Sequence, residues 1–451
     1  MKMTKSLIII LMVLLGLTQE VLSQVGTISN WSMDRRAAVV LTFDDWSPGH
    51  YPIVVPELKQ RNLNATFFII QNNVSSWPNV VTTATNGNEI GNHTLDHPDL
   101  TTKTAAQLTQ EIRDVKTNFD SHITSQQVIS FAYPFGTGAG NAPATGTAHP
   151  CSEAQVRDSV KASGHIGARS VNPSSGNYTY NFATTNDDYY KILTYAMSGT
   201  VSTNAFFAEI QYVKASGGLL TFLYHSVDDA AGTYGDNWYN KVIKDSLEKQ
   251  LDKLVSVQRD VWITTFGQAV KYHRERKCAT LSEIQPQNTT SWVVNLTDTL
   301  SNNALYNQPL TLKLKLNGYN YNVATQNGNS LKVDWIRNDS IVLNALPDAG
   351  HITLTYDANV TITEVNNMIS LSAEDIHISP VPSSGIINVN TGKSFQHASV
   401  VVYDALGKEA YNNSNVEFNN FSVDLSGHMK GIYYMKIYQN ESYVLKKIIL
   451  N

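Results

Sequence analysis

Between Ala37 and Cys278 the chain alternates short, nearly unbroken apolar runs with longer stretches whose apolar residues recur every three or four positions. The runs cover 37–42, 65–70, 128–132, 219–224 and 261–264. Strands apolar on both faces are covered on both sides, so these runs predict buried parallel strands in an α/β unit. Thr104 to His122 carries Leu108, Ile112, Val115 and Phe119 at helical spacing, and Asn240 to Val257 carries Val242, Leu247, Leu251 and Leu254. Those stripes predict crossover helices facing a core. After Lys277 the pattern changes: Leu312-Lys313-Leu314-Lys315-Leu316 alternates strictly and runs into Asn317-Gly318, which predicts a strand and a hairpin turn. Pro380, Pro382 and Gly385 then punctuate the chain before further strand-like runs at 386–389, 399–403 and 431–437. The pattern predicts an α/β unit followed by two small β-domains, with boundaries near Leu281 and Ile376.

A length of 451 residues fits two to four domains at about 100–200 residues each. The net charge of −5, with no basic stripe, excludes nucleic acid as a natural partner. With 42% hydrophobic and 16% charged residues the chain can fill sizeable cores and lies outside the disordered class. Two cysteines, Cys151 and Cys278, exclude a disulfide scaffold and a four-cysteine zinc site. Whether they pair is left open. Lys2 and Lys5 precede an apolar run, 7–17, that is too short to span a bilayer and ends before Gln19, Glu20 and Ser23. Residues 1–23 therefore read as a signal peptide, which predicts a secreted or cell-surface protein with no transmembrane segment in the mature chain.

Chemistry-bearing residues gather where the predicted strands end. Asp44 and Asp45 close the first run, His93 and His97 follow the second by a loop, Pro134 and Gly136 close the third, and His225 ends a later one. Parallel α/β barrels bring such positions to one face. His93 and His97 share a face if Thr94 to Pro98 forms a helical turn, and Asp45 can add an oxygen to make a metal site with open positions. By itself the four-residue spacing also fits a polar loop. Neighbouring strand residues point to opposite faces, so Asp44 and Asp45 suit different roles, base and ligand, better than a glycosidase pair. Two histidines and a carboxylate also occur in iron(II) oxygenases, but this sequence has neither the close His-x-Asp pair nor the antiparallel β-fold expected there in the right place.

Taken in order, Thr42-Phe43-Asp44-Asp45, His93-Thr94-Leu95-Asp96-His97-Pro98, Phe131-Ala132-Tyr133-Pro134-Phe135-Gly136 and Leu223-Tyr224-His225 resemble the signature motifs of the polysaccharide deacetylase family, also called carbohydrate esterase family four. The resemblance covers 37–276. It implies a distorted (β/α) barrel at 24–280, a divalent metal, usually zinc, and hydrolysis of acetyl groups from amino sugars or acetylated polysaccharide. Matched residue by residue, it implies Asp44 as base, Asp45, His93 and His97 as metal ligands, and His225 as acid. It also implies the backbone N–H of Phe135 as an oxyanion donor and Leu223 as a wall of the acetyl pocket. Tyr133 and Trp46 join these two as candidate substrate contacts, Trp46 at the rim where it could stack on a sugar.

Two positions depart from the family pattern. Ala132 stands where an Arg usually orients the base, and Arg169, in Gly167-Ala168-Arg169-Ser170, resembles the replacement used by members lacking it. Trp46 replaces a common Gly. The family's further Asp and Trp that support the acid have only Asp187, Asp188 and Trp262 as candidates. These departures sustain an alternative, a catalytically impaired barrel that binds glycan. In the tail, Pro380-Val381-Pro382-Ser383-Ser384-Gly385, Val402-Tyr403-Asp404-Ala405-Leu406-Gly407 and Gly431-Ile432-Tyr433 resemble the β-sandwich sorting domains of type IX secretion. This implies a partner in the secretion machinery for 377–451. Residues 281–376 are expected to form a β-sandwich of unknown role, with Trp292, Trp335 and Tyr319 as core or sugar-stacking aromatics.

Overall fold

The computed structural model describes residues 25–140, 148–171, 178–182, 185, 188–337, 339–360, 376–405, 407–439 and 442–451. The signal-peptide expectation, 1–23, lies outside them. Among the described residues no helix is long and apolar enough to cross a membrane. The chain divides into two compact units, Met1–Ile362 and Thr363–Asn451.

Seven strands form the parallel part of the first unit's nine-stranded main sheet that carries the site: β1 Ala37–Asp44, β2 Thr66–Ile69, β3 Glu89–Asn92, β4 Ser130–Ala132, β5 Gly167–Arg169, β6 Leu219–Tyr224 and β7 Val261–Thr264, with the short Thr179–Tyr180 and Tyr195–Ala196 strands added beside β6. Their spatial order is β5-β4-β3-β2-β1-β6, and β7 pairs with the first half of β1. All of these pairings are parallel. β1 is buried along its whole length. Val39, Leu41 and Phe43 join Phe206, Ile210, Leu247 and Leu251 from helices Thr203–Ser216 and Lys244–Val257. Ala38 and Val40 face the other way, toward Phe68 and Phe266. Thr42 and Asp44 continue that second face by the two-residue period of a strand. The sheet is thus covered on both sides, as its unbroken apolar runs require.

β3 escapes a hydrophobic reading because it consists of Glu89, Ile90, Gly91 and Asn92. Its Glu89 is fully enclosed by donors: Thr66 Oγ1 at 2.8 Å, Ser130 Oγ at 2.5 Å and Gly267 N at 2.7 Å. The helix expected over 104–122 is present with a wider, π-type segment at Thr109–Asp114. The helix expected from Asn240 begins at Lys244, because Val242 and Ile243 pair with Val227 and Asp228.

Beyond the barrel sheet, two antiparallel sheets hold the rest of the first unit. One contains Gly26–Ile28, Leu310–Lys315, Ser340–Ala345 and Val333–Arg337, and the other contains 280–285, 291–297, 323–326, 329–331 and 352–355. Their inward residues, including Trp292, Leu296, Leu312, Leu343 and Leu354, share one cluster with Phe266 and Tyr272 of helix Phe266–Cys278. The chain just after residue 24 is therefore a strand of this module. Asn317-Gly318 does form a tight turn, with φ of 50° and 85°. It does not close a hairpin: Leu310–Lys315 pairs with Gly26–Ile28 and Ser340–Ala345, and the chain leaves the turn for the other sheet. The hairpin lies instead at Asn327-Gly328, between Val323–Gln326 and Asn329–Leu331. Trp292 is buried, Tyr319 stacks on Tyr321, and the side chain of Trp335 lies outside those described. Cys151 and Cys278 are free.

The second unit contains one five-stranded antiparallel sheet built on the long strand Ile386–Asp404, which pairs with His377–Ser379, Glu409–Asp424 and Gly431–Gln439. Ser442–Leu450 completes it beside Gly431–Gln439. Its core is Ile387, Val389, Val400, Val402, Val423, Met435, Ile437 and Ile448.

Candidate functional site

At the C-terminal end of β1 the backbone leaves the strand sharply. Asp45 and Trp46 both have positive φ, 75° and 58°, a conformation that Asp tolerates and Trp adopts only under constraint. The turn changes the expected geometry of the acidic pair. Strand alternation predicts divergent side chains, yet Asp44 Oδ2 and Asp45 Oδ1 lie 3.6 Å and 3.5 Å from the same atom, His93 Nε2. Asn73 Nδ2 donates to the Asp45 carbonyl at 2.7 Å and holds the turn.

The segment after β3 is not the helical turn that the His93–His97 spacing suggests. Thr94 and His97 have φ of 72° and 62°, and Pro98 disfavours a helical His97. Side chains hold the loop instead: Asn92 Oδ1 accepts from Thr94 N, and Thr94 Oγ1 accepts from His97 N, each at 2.9 Å. Glu111 Oε2 accepts from Leu95 N at 3.0 Å. The two imidazoles still meet, edge to face at 4.7 Å. Phe135, at φ 55°, packs edge-on against His97 at 4.7 Å. Backbone strain thus concentrates around the site, at about 1–3 kcal/mol for each such residue.

Asp45, His93 and His97 each offer one ligand atom, all within 4.8 Å of one another. His93 Nδ1 lies 2.9 Å from the Ala132 carbonyl, which accepts its N–H and leaves Nε2 as a lone-pair donor toward the aspartates. Asp45 Oδ1, 3.5 Å from His93 Nε2 and 3.9 Å from His97 Nε2, is buried with no hydrogen-bond partner. Ligands about 2.0–2.1 Å from a tetrahedral metal sit roughly 3.4 Å apart, so these residues fit a divalent cation. Burial works against the Asp45 carboxylate, but the close approach of His93, with His225 and His97 adding, outweighs it and holds the group below the usual range. Burial and the neighbouring His93 lower His97 to about 4, which keeps it neutral and able to ligate.

Arg169, at the end of β5, is fully buried and its guanidinium closes an ion pair on Asp44 Oδ1. The same group lies 4.9 Å from the Phe68 ring centroid. His225 follows β6. Its carbonyl accepts from His50 Nε2 at 2.7 Å, while its ring Nδ1 is buried without a partner. Burial lowers its pKa, with Asp44 and Asp45 opposing. Leu223 lies two residues before His225 on the same strand face and is 2% exposed.

Two expected substrate contacts have other surroundings. Trp46 is buried among core residues, edge-on to Phe67 at 5.7 Å and His50 at 6.3 Å, so its ring is not at a solvent-facing rim. The apolar indole gains more from the space between β1 and its covering helices than from solvent. Tyr133 is likewise buried, beside Phe131, Leu100 and Val156, and burial raises its hydroxyl pKa. Phe135, by contrast, is 58% exposed.

The residues suggested as partners of His225 also have other surroundings. Trp262 packs on Tyr272 at 5.2 Å, Asp188 accepts from Tyr190 N, and Asp187 lies outside the described residues. Asp236 is the acidic group tied to this corner: fully buried, its Oδ2 accepts from Ser47 Oγ at 2.6 Å and from the N–H groups of Gly49 and Val227 at 3.0 Å. With His50, it fixes the turn after β1 against the segment after β6. No spacing rule flags it, since two of its partners, Ser47 and Gly49, lie far away in sequence.

Residues 33–149 match the polysaccharide deacetylase family model, and residues 377–451 match that of a secretion system C-terminal sorting domain. A gellan lyase from a Bacillus species is 23% identical over 345 residues, 75% of this chain and 14% of that protein. A peptidoglycan-N-acetylglucosamine deacetylase from Bacillus cereus is 45% identical over 67 residues, 14% of this chain and 24% of that protein. The chain thus spans 14% and 24% of the length of these two relatives. A family 4 carbohydrate esterase from Streptomyces lividans, solved with acetate, superposes with a TM-score of 0.33 at 18% identity, covering 50% of this chain and 91% of that one. The chain carries a domain of the polysaccharide deacetylase family, matched at 33–149, and ends in a secretion system C-terminal sorting domain.

Proposed function

We propose that this chain is a secreted, metal-dependent polysaccharide deacetylase that hydrolyses acetyl groups, N-acetyl of amino sugars or O-acetyl, from a glycan. The observation that carries the reading is the convergence of Asp45, His93 and His97 within 4.8 Å, with Asp44 against the same His93 nitrogen. Asp45, His93 and His97 would hold a divalent metal, zinc by donor type. When bound, such a metal polarises a carbonyl and lowers the pKa of water to about 7.

Asp44, aimed by its ion pair with Arg169, takes the proton of the attacking water. The Phe135 backbone N–H receives the oxyanion that develops on the acetyl carbonyl. His225 gives its proton to the departing sugar nitrogen or oxygen, so one water is consumed for each acetate released. Leu223 walls the space for the acetyl methyl.

The proposed division is a signal peptide at 1–23, the barrel at 24–280, and β-sandwich modules at 281–376 and 377–451. The last would direct the protein through type IX secretion to the surface or medium. The test is acetate release by the purified chain from N- and O-acetylated glycans, with zinc and with chelator. Zinc-dependent acetate is expected; none from any glycan by protein holding one metal per chain would leave a glycan-binding barrel.

A further inference from the structure

His50 is a buried titratable side chain that the proposed chemistry leaves unused. It opens the helical segment His50–Val54, five residues after Asp45, and none of it reaches solvent. Phe43, Phe67 and Trp46 meet its ring edge-on at 5.5, 5.7 and 6.3 Å. An apolar ring would suit that box better, because His50 Nδ1 is buried without a hydrogen-bond partner among the described residues, and such a group costs about 1–3 kcal/mol. What the imidazole adds is one hydrogen bond: Nε2 lies 2.7 Å from the His225 carbonyl, which can only accept.

The bond goes to the backbone of a residue whose own ring nitrogen Nδ1 is buried without a partner among the described residues. With no bond at that nitrogen, the direction of the His225 ring depends on its backbone and on Tyr239, edge-on at 4.9 Å. Ser47 Oγ approaches the same carbonyl to 3.4 Å, but its hydrogen goes to Asp236 Oδ2 at 2.6 Å. His50 is thus the close donor to that carbonyl. Around it the two segments are pressed together. A Cβ on Gly49 would lie 1.6 Å from the Val227 carbonyl oxygen, and Asp236 Oδ2 accepts from the N–H groups of Gly49 and Val227 at 3.0 Å. One segment begins at Asp44 and Asp45 and the other at His225, so the seam between them sets base and ligand against acid.

We propose that His50 is a positioning residue for the reaction: its bond to the His225 carbonyl fixes where the His225 ring stands relative to Asp44 and Asp45. This rests on the deacetylase reading above, in which the C–N or C–O bond breaks with its electron pair going to the departing sugar atom and His225 supplies the proton. A leaving sugar amine or alkoxide needs that proton, whereas the phenolate of 4-methylumbelliferyl acetate departs without it. The test compares acetate release from chitopentaose and acetylated xylopentaose with hydrolysis of that aryl ester, using the zinc-loaded full chain as wild type, His50→Phe, His50→Gln and His50→Asn. His50→Phe fills the aromatic box without the donor. It should lower kcat on the glycan that wild type cleaves by about 10–100-fold, the scale of a reacting group misplaced by about 1 Å, with a loss on the aryl ester about tenfold smaller. KM and zinc content should stay near wild type. His50→Gln, whose amide nitrogen can stand where Nε2 stood, should recover most of the kcat, and the shorter His50→Asn should not. Equal losses on glycan and aryl ester would make His50 a purely structural residue. Unchanged glycan kcat in His50→Phe, or glutamine no better than asparagine, would remove the positioning role, and the second comparison decides alone if His50→Phe does not fold. Wild type that releases acetate from neither pentasaccharide would overturn the deacetylase reading for these glycans, and the role of His50 with it.

Discussion

Arg169 and Asp44 close a fully buried ion pair although three strands lie between the two that end in them. On a flat sheet those strand ends would be about 19 Å apart, at roughly 4.8 Å for each spacing, far beyond the reach of one arginine. The pair is therefore a measure of how strongly the sheet curls. The same curl brings β3, β4 and β5 to the acidic pair on β1, so one buried guanidinium both requires the fold and serves the site.

A buried pair is costly to break on one side only, at about 3–5 kcal/mol, because the remaining charge has no solvent. Arg169→Met is therefore expected to lower unfolding stability by that order, and the double variant Arg169→Met with Asp44→Asn to recover part of it. Denaturant unfolding in chelator, which removes any contribution from bound cation, measures both. Equal losses in the single and double variants would show that the two side chains do not stabilise one another.

How much of this was legible in the sequence depended on the kind of force involved. The apolar runs announced β1, β2, β4, β6 and β7, because burial writes itself as hydrophobicity. β3 was hidden, since Glu89 and Asn92 are satisfied by distant hydrogen bonds. The residue types of the metal-type cluster were readable from short motifs, but its geometry was not. Left-handed turns at Asp45, Thr94 and His97, and not a helix, make the side chains converge. Trp46 and Tyr133 misled because aromatic character alone does not say whether a ring faces a cleft or a core. Asp236 and His50 were invisible for the opposite reason: their roles depend on contacts between segments far apart in sequence.

The proposed division of roles between the adjacent aspartates gives a second expectation. His93→Ala removes a nitrogen whose partner N–H is fixed on Ala132, and should abolish metal retention. Asp44→Asn leaves Asp45, His93 and His97 in place. It should retain the metal while losing turnover by about 10²–10⁴-fold, the range for a general base. Elemental analysis after gel filtration, paired with acetate release, separates the two. Full turnover by metal-loaded Asp44→Asn would remove Asp44 from the mechanism.

Asp236 offers a test of the corner behind His225. One of its oxygens receives three donors, two of them backbone N–H groups with no alternative in the interior. Asp236→Ala strands them, at roughly 2–4 kcal/mol in total after local relaxation. Thermal unfolding should show the loss. Asp236→Asn, which keeps one acceptor oxygen, should fall between wild type and alanine. If asparagine proved as damaging as alanine, charge and not hydrogen-bond acceptance would be holding the turn.

Glu275, on the helix that joins the barrel to the neighbouring β-sheets, makes stability depend on pH. Its Oε1 accepts from Gln308 N at 2.8 Å, while Oε2 is buried without a partner. Burial, with the charge of Asp298 adding, pushes the carboxyl up to about 7, against the opposing effects of Gln308 N–H and Lys271. The folded chain thus keeps a proton that the unfolded chain releases near the ordinary value of 4.5. Stability from this group must fall as pH rises between those two values and stay constant above the higher one. Glu275→Gln keeps the acceptor and removes the charge. It should match wild type near pH 4 and exceed it above pH 7.5 by about 1–2 kcal/mol, after allowing for screening by solvent and Lys271. Unfolding midpoints for both proteins across that range provide the measurement. A difference that stays flat from pH 4 to pH 8 would mean that the carboxyl ionises in the folded chain as readily as in the unfolded one.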